Sequence, residues 1–137
     1  MDKELLSLAA KATEARAASI CPYSGFSVGA AILTEDGKVY TGANIESAAY
    51  SPTLCAERVA LAKALSEGER SFKAIAISGG FCGERARKPF YPCGVCRQML
   101  SEFMPSEARL LVAYGDTTEE YSLGELLPKS FGKEALE

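Results

Sequence analysis

Cys55-Ala56-Glu57-Arg58-Val59-Ala60-Leu61-Ala62-Lys63-Ala64-Leu65, then Gly68, then Phe72-Lys73-Ala74-Ile75-Ala76-Ile77-Ser78, is the stretch on which the fold turns. Residues 55–65 read as a helix with Gly68 placed to stop it, and 72–78 as a strand with an Ala74–Ile77 core. The unit recurs downstream. Pro92-Cys93-Gly94-Val95-Cys96 opens a helix to about Phe103, and Arg109–Tyr114 reads as a further strand. Upstream, Leu5, Leu8, Ala9, Ala12 and Ala15 fall at helical spacing within 2–18, and Cys21-Pro22-Tyr23-Ser24-Gly25 breaks that helix. Phe26–Thr34 reads as a buried strand and Glu35-Asp36-Gly37-Lys38 as a hairpin turn. Val39–Ile45 is the returning strand, irregular near Gly42 and Asn44. Gly79–Pro92, with three glycines, two prolines and three basic residues, reads as a solvated loop. Glu119–Ser122 gives a short fifth strand, and Ser122 with Glu125 a capping box before a helix over 123–127. A polar tail follows, carrying Phe131. Helix, hairpin, then alternating helix and strand predicts one α/β domain over 1–137, a sheet with helices on its faces.

Composition narrows the function classes. Hydrophobic residues are 47% and charged residues 24%, as in soluble globular chains. The net charge is −3 and no Lys/Arg run exceeds two, which argues against a nucleic-acid partner. No apolar run has the length of a membrane span, and Met1–Ala10 lacks the basic start and apolar stretch of a signal peptide. The expected location is the cytoplasm, where thiols stay reduced. Five cysteines cannot all pair, so clustered ones point to metal or catalysis. There is no histidine. Ser-His and Cys-His catalysis are excluded, and a metal site must be built from Cys, Asp and Glu.

Cys55 and the Cys93-x-x-Cys96 pair supply such a site. Each group opens a predicted helix, whose free N–H groups and dipole favour thiolates. Three thiolates with an open fourth position suit a catalytic zinc, and soft sulfur favours zinc over magnesium or calcium. Three thiolates on Zn²⁺ leave a net charge of −1, which weakens the metal as an acid. Arg58, one helical turn from Cys55, is placed to withdraw charge from a thiolate. Glu57 can lie beside the open position and carry protons. Two blander readings stand beside this one: a redox Cys-x-x-Cys pair, and a closed structural zinc with Cys82 as fourth ligand in a non-catalytic binding module. Cys21 reads as a small packed hydrophobe.

Several segments together resemble the small homotetrameric cytidine deaminases. They are Pro22-Tyr23-Ser24, Phe26-Ser27-Val28-Gly29-Ala30-Ala31, Asn44-Ile45-Glu46-Ser47-Ala48-Ala49-Tyr50, Cys55-Ala56-Glu57-Arg58, Pro92-Cys93-Gly94-Val95-Cys96-Arg97-Gln98 and Glu125-Leu126-Leu127-Pro128 with Phe131. The resemblance implies a three-layer α/β/α sandwich on a mixed five-stranded sheet. It implies one zinc per subunit on Cys55, Cys93 and Cys96, and hydrolysis of cytidine and 2′-deoxycytidine with release of ammonia in pyrimidine salvage. The superfamily's chemistry is a metal-activated water with a glutamate that is not a ligand as proton carrier, here Glu57. Asn44 and Glu46 would bind the ribose, Phe26 the pyrimidine, and the Ala56 N–H the base carbonyl. Phe131 would reach into a neighbouring subunit's site. The near alternative is a blasticidin-type deaminase, against which the Asn44/Glu46 pair speaks. Tyr91 stands where the family usually has a small residue, and the 79–90 loop is long, so both bear on specificity.

Overall fold

The computed structural model describes residues 1–137. Its elements are α1 (Lys3–Ala15), β1 (Phe26–Thr34), β2 (Val39–Ala43), α2 (Ala56–Ser66), β3 (Phe72–Phe81), α3 (Gly94–Phe103), β4 (Arg109–Tyr114), β5 (Thr117–Ser122) and α4 (Leu123–Leu126). The strands form one mixed sheet in the order β2-β1-β3-β4-β5. Only β3 and β4 run parallel, joined through α3; the other neighbours are antiparallel.

Both faces of the sheet are covered, which makes three layers. On one face Leu5, Leu8, Ala9 and Ala12 of α1 pack on Ala31, Leu33, Ala74, Ala76, Leu111 and Ala113. On the other, Ala56, Ala60, Leu61, Leu100 and Leu123 from α2, α3 and α4 pack on Val28, Ala30, Ile32, Ile75, Ile77, Leu110 and Val112. Strands buried on two sides are apolar at successive positions, so β1 reads as a continuous run rather than an alternation. Helix starts follow their caps: Asp2 accepts from the Leu5 N–H at 2.9 Å, and Ser122 and Glu125 form the expected capping box. No helix is long and apolar enough to cross a membrane.

Element boundaries differ from the sequence expectation at three strands. β3 continues through Gly79 and Gly80 to Phe81, paired with Val28, Ser27 and Phe26 of β1. These glycines do not end the strand; they make room beside it. A Cβ on Gly79 would lie 2.8 Å from Phe90 Cγ, and one on Gly80 2.8 Å from the Arg16 guanidinium. β2 ends early, at Ala43, because the Asn44 side chain turns inward and Ile45 leaves the sheet to pair with Ile20 and Leu54. β5 starts earlier, at Thr117, straight after the turn at Gly115 and Asp116.

Gly42 fixes how closely β2 crosses α2. A Cβ there would lie 2.5 Å from the Ala60 nitrogen and 2.6 Å from the Ala56 oxygen, both backbone atoms. Backbone cannot rotate aside, so Gly42→Ala must push α2 off the sheet. Denaturant unfolding is expected to show a loss of about 1–3 kcal/mol, in the range of overpacked cores. A change under about 0.5 kcal/mol, the size of ordinary surface substitutions, would mean that the crossing tolerates a methyl group.

Candidate active site

Two helix starts meet at the site. Cys55 is the N-cap of α2 and Cys93 the N-cap of α3; both have extended backbones, and neither side chain caps its helix. An N-cap is commonly Ser, Thr, Asp or Asn, whose oxygen closes on the first-turn N–H groups. Cysteine there leaves the sulfur free and the N–H groups pointing at it. Cys96 lies one turn into α3 and is fully buried. The sulfurs of Cys55, Cys93 and Cys96 all lie within 4.8 Å of one another, and Cys55 Sγ to Cys93 Sγ is 3.9 Å. Tetrahedral zinc with Zn–S near 2.3 Å needs sulfurs about 3.8 Å apart, so the three fit zinc. Cys82 is not part of this cluster; it is exposed just beyond β3, its N–H bonded to the Gly25 carbonyl. The closed four-cysteine alternative therefore finds no support in the geometry.

The charges around the sulfurs are strongly perturbed. The Cys55 thiol is drawn down to about 5, first by a hydrogen bond with Cys96 and then by Arg58 and Cys93, against the effect of burial. Cys96 is pushed up by the same bond, by burial and by Glu57. The shifts oppose each other because the two sulfurs share one hydrogen bond, which favours the thiolate on Cys55 and the thiol on Cys96. A divalent cation would displace the protons of such a cluster and relieve the conflict. Arg58 reaches Cys55 Sγ at 3.6 Å and the Thr53 carbonyl at 3.4 Å, as its spacing predicts.

Glu57, in the first turn of α2, is 1% exposed, and its Oε1 has no hydrogen-bond partner. Burial raises its carboxyl to about 7, with the Cys55 charge adding. An unpartnered buried carboxylate is costly to fold around and marks a group kept for something outside the protein. It faces a cavity of about 260 Å³, a small-molecule volume, lined also by Phe26, Asn44, Glu46, Ala56 and Cys93. One cavity thus gathers these residues with two of the three sulfurs. Phe131 is not among them. It is 59% exposed, and its carbonyl accepts from Gln98 Nε2 at 2.9 Å.

The polar end of the cavity is anchored. Glu46 is no loose strand-end charge: it accepts from the N–H groups of Tyr23 at 3.0 Å and Ser24 at 3.1 Å, and from the Ser24 hydroxyl. The Ser24 bonds hold its carboxyl below the usual range. Asn44 Oδ1 accepts from the Val28 N–H at 2.9 Å and the Ser19 hydroxyl at 2.5 Å, while Nδ2 donates to the Phe26 carbonyl at 2.9 Å. One amide hydrogen remains for a ligand. Ala56 opens α2, so its N–H has no partner within the helix.

Sequence reasoning missed two supports. Arg97 donates to the Pro92 carbonyl at 2.8 Å and the Leu126 carbonyl at 2.7 Å, which fixes the approach to Cys93. Phe90 lines the cavity, although its segment reads as a solvated loop. Tyr91 turns the other way: its hydroxyl donates to Glu119 at 2.7 Å, beside the hydroxyls of Tyr114 and Tyr121 on the same carboxylate. It does not line the cavity.

A trithiolate site on two helix starts, over a mixed α/β/α sheet with a buried glutamate beside it, defines the class of zinc-dependent deaminases that act on nitrogen heterocycles. The profile of the cytidine and deoxycytidylate deaminase zinc-binding region matches residues 2–112, and the chain belongs to this family. It is 47% identical over 131 residues to a cytidine deaminase of Sporosarcina psychrophila, covering 94% of this chain and 92% of that one. It is 43% identical over 136 residues to a cytidine deaminase of Halalkalibacterium halodurans, covering 98% and 97%. The crystal structure of cytidine deaminase from Burkholderia pseudomallei superposes with a TM-score of 0.85 at 39% identity, over 96% of this chain and all (100%) of that one.

Proposed function

We propose that the chain hydrolyses cytidine and 2′-deoxycytidine to uridine and 2′-deoxyuridine, releasing ammonia, as a cytoplasmic enzyme of pyrimidine salvage. The observation that carries this is the unpartnered, buried Glu57 carboxyl beside three convergent sulfurs, in a cavity that ends at Glu46. Cys55, Cys93 and Cys96 would hold the zinc, which would supply the acidity that readies a water for attack at C4 of the base. Glu57 accepts one proton of the attacking water and delivers it to N3. It then takes the second from the new C4 hydroxyl and delivers it to the amino group, which leaves as ammonia while C4=O forms. Its desolvation suits a group that must both take and give a proton near neutral pH. The Arg58 guanidinium, on Cys55 Sγ, draws charge from the sulfur and keeps the site acidic. The Ala56 N–H binds the base carbonyl, and Phe26 lies against the ring. Asn44 offers its remaining amide hydrogen, and Glu46 a carboxylate already oriented by Ser24, to the ribose hydroxyls. Phe131, exposed and tethered to α3 by Gln98, closes the site of a neighbouring subunit in a homotetramer.

Zinc-loaded protein should release ammonia from cytidine and 2′-deoxycytidine. A blasticidin-type nucleoside and a cytosine-containing oligonucleotide should be poor substrates in the same panel. Absence of ammonia from both nucleosides would overturn the assignment. A fully active monomer in solution would overturn the part given to Phe131.

A further inference from the structure

We propose that Phe90 determines specificity at C5 of the pyrimidine: its ring closes the cavity against that edge and disfavours 5-substituted cytosines. The inference rests on the nucleoside-deaminase reading and adds a residue outside the cysteine and ribose motifs. Phe90 lines the cavity together with Phe26 and Cys93. Its ring centroid is 5.3 Å from that of Phe26, tilted by 38°. The pair exists because Gly79 is bare, since a Cβ there would meet Phe90 Cγ at 2.8 Å and Phe26 Cε2 at 2.9 Å. The chain after Phe90 is tied at two consecutive residues, by the Tyr91 side chain and by the Pro92 backbone. Tyr91 donates to Glu119 at 2.7 Å, and the Pro92 carbonyl accepts from Arg97 at 2.8 Å. A wall fixed in this way cannot yield to a larger ring at low cost.

The chemistry orients the base against this wall. The amino group leaves C4, so C4 must face the sulfur cluster. C4 has two ring neighbours, N3 and C5. N3 receives a proton, so it is turned to Glu57, and C5 is turned to the aromatic side. Phe90 stands three residues before Cys93, which places the two Cα atoms within about 10 Å of each other. A hydrogen at C5 fits in that space, whereas a methyl group meets the Phe90 ring.

The test compares 5-methylcytidine with cytidine. Phe90→Val, with Phe90→Leu as a second variant closer in volume, should raise the ratio of kcat/KM for 5-methylcytidine over cytidine by roughly tenfold or more, the scale on which one methyl group is discriminated. Dissociation constants of uridine and 5-methyluridine should move in the same sense, which reads the wall without turnover. Phe81→Ala is the control. Phe81 meets Phe26 edge-on at 5.4 Å but lines a separate hollow, so the ratio should not change. Cytidine turnover with an unmoved ratio in both Phe90 variants would overturn the inference alone. So would an equal shift in Phe81→Ala. Failure of the native chain to act on cytidine would overturn the underlying reading and the inference with it.

Discussion

Glu57→Gln is expected to retain zinc at about one ion per chain and to lose cytidine turnover by about 10³–10⁴-fold, the upper range for removal of a general acid–base group. That loss corresponds to about 4–5.5 kcal/mol of transition-state stabilisation. The amide keeps the size and burial of the side chain but cannot accept the proton of the attacking water or return it. Zinc should stay because the ion is held by sulfurs and Glu57 is not one of the clustered ligands. Stability should move against activity. Glu57 is buried with an unpartnered oxygen, and its carboxyl is raised chiefly by loss of solvent. A neutral amide is cheaper to bury than a carboxylate, so the melting midpoint should not fall. Zinc analysis, steady-state kinetics and a melting curve on one preparation check all three expectations. Near-native turnover would remove Glu57 from the proton path. Loss of zinc would mean that it acts as a ligand.

The sequence disclosed the sulfur cluster more fully than the cavity wall, for physical reasons. Cys55, Cys93 and Cys96 are legible because metal ligation restricts residue type, and because two of them sit at helix starts that local rules locate. Arg58 follows from helical spacing alone. Asn44 and Glu46 show the limit of residue-level reading. An amide and a carboxylate after a strand look like turn residues, and only the family resemblance gave them a task. The structure adds that most of the Asn44 amide is engaged in holding β1 and Ser19, a pairing between residues distant in sequence. Phe90 was hidden for a related reason. Three glycines and two prolines nearby read as loop, and nothing local says that Gly79 is bare because two aromatic rings converge over it. The early stop expected for β3 and the missed wall residue are thus one error with one cause: glycine serving a tertiary contact rather than a turn. Tyr91 belongs to the same region: its phenol reaches across to Glu119 on β5, while its neighbour Phe90 faces the cavity.

Cys96→Ser is expected to abolish zinc retention and to lower turnover by at least about 10³-fold, while Cys82→Ser changes neither, since only three sulfurs converge and a catalytic zinc needs three protein ligands. Cys96 is the most telling of the three because it is fully buried, so no solvent ligand can take its place without a rearrangement of α3. Serine shortens the side chain and offers a hard oxygen that stays protonated, where zinc favours thiolate. The same substitution should reveal a structural role for the ion. α2 and α3 meet at their starts, where Cys55 and Cys93 bring their sulfurs to 3.9 Å, and an ion bound there ties the two helices together. Whatever binds only the folded chain stabilises it by mass action, so a strong chelator should lower the melting midpoint of the native protein. In Cys96→Ser the midpoint should already be low, and the chelator should have no further effect. An unchanged midpoint in the native protein would show that the sheet alone positions the helix starts. Zinc loss on Cys82→Ser would instead establish a fourth sulfur ligand and close the position at which water must enter.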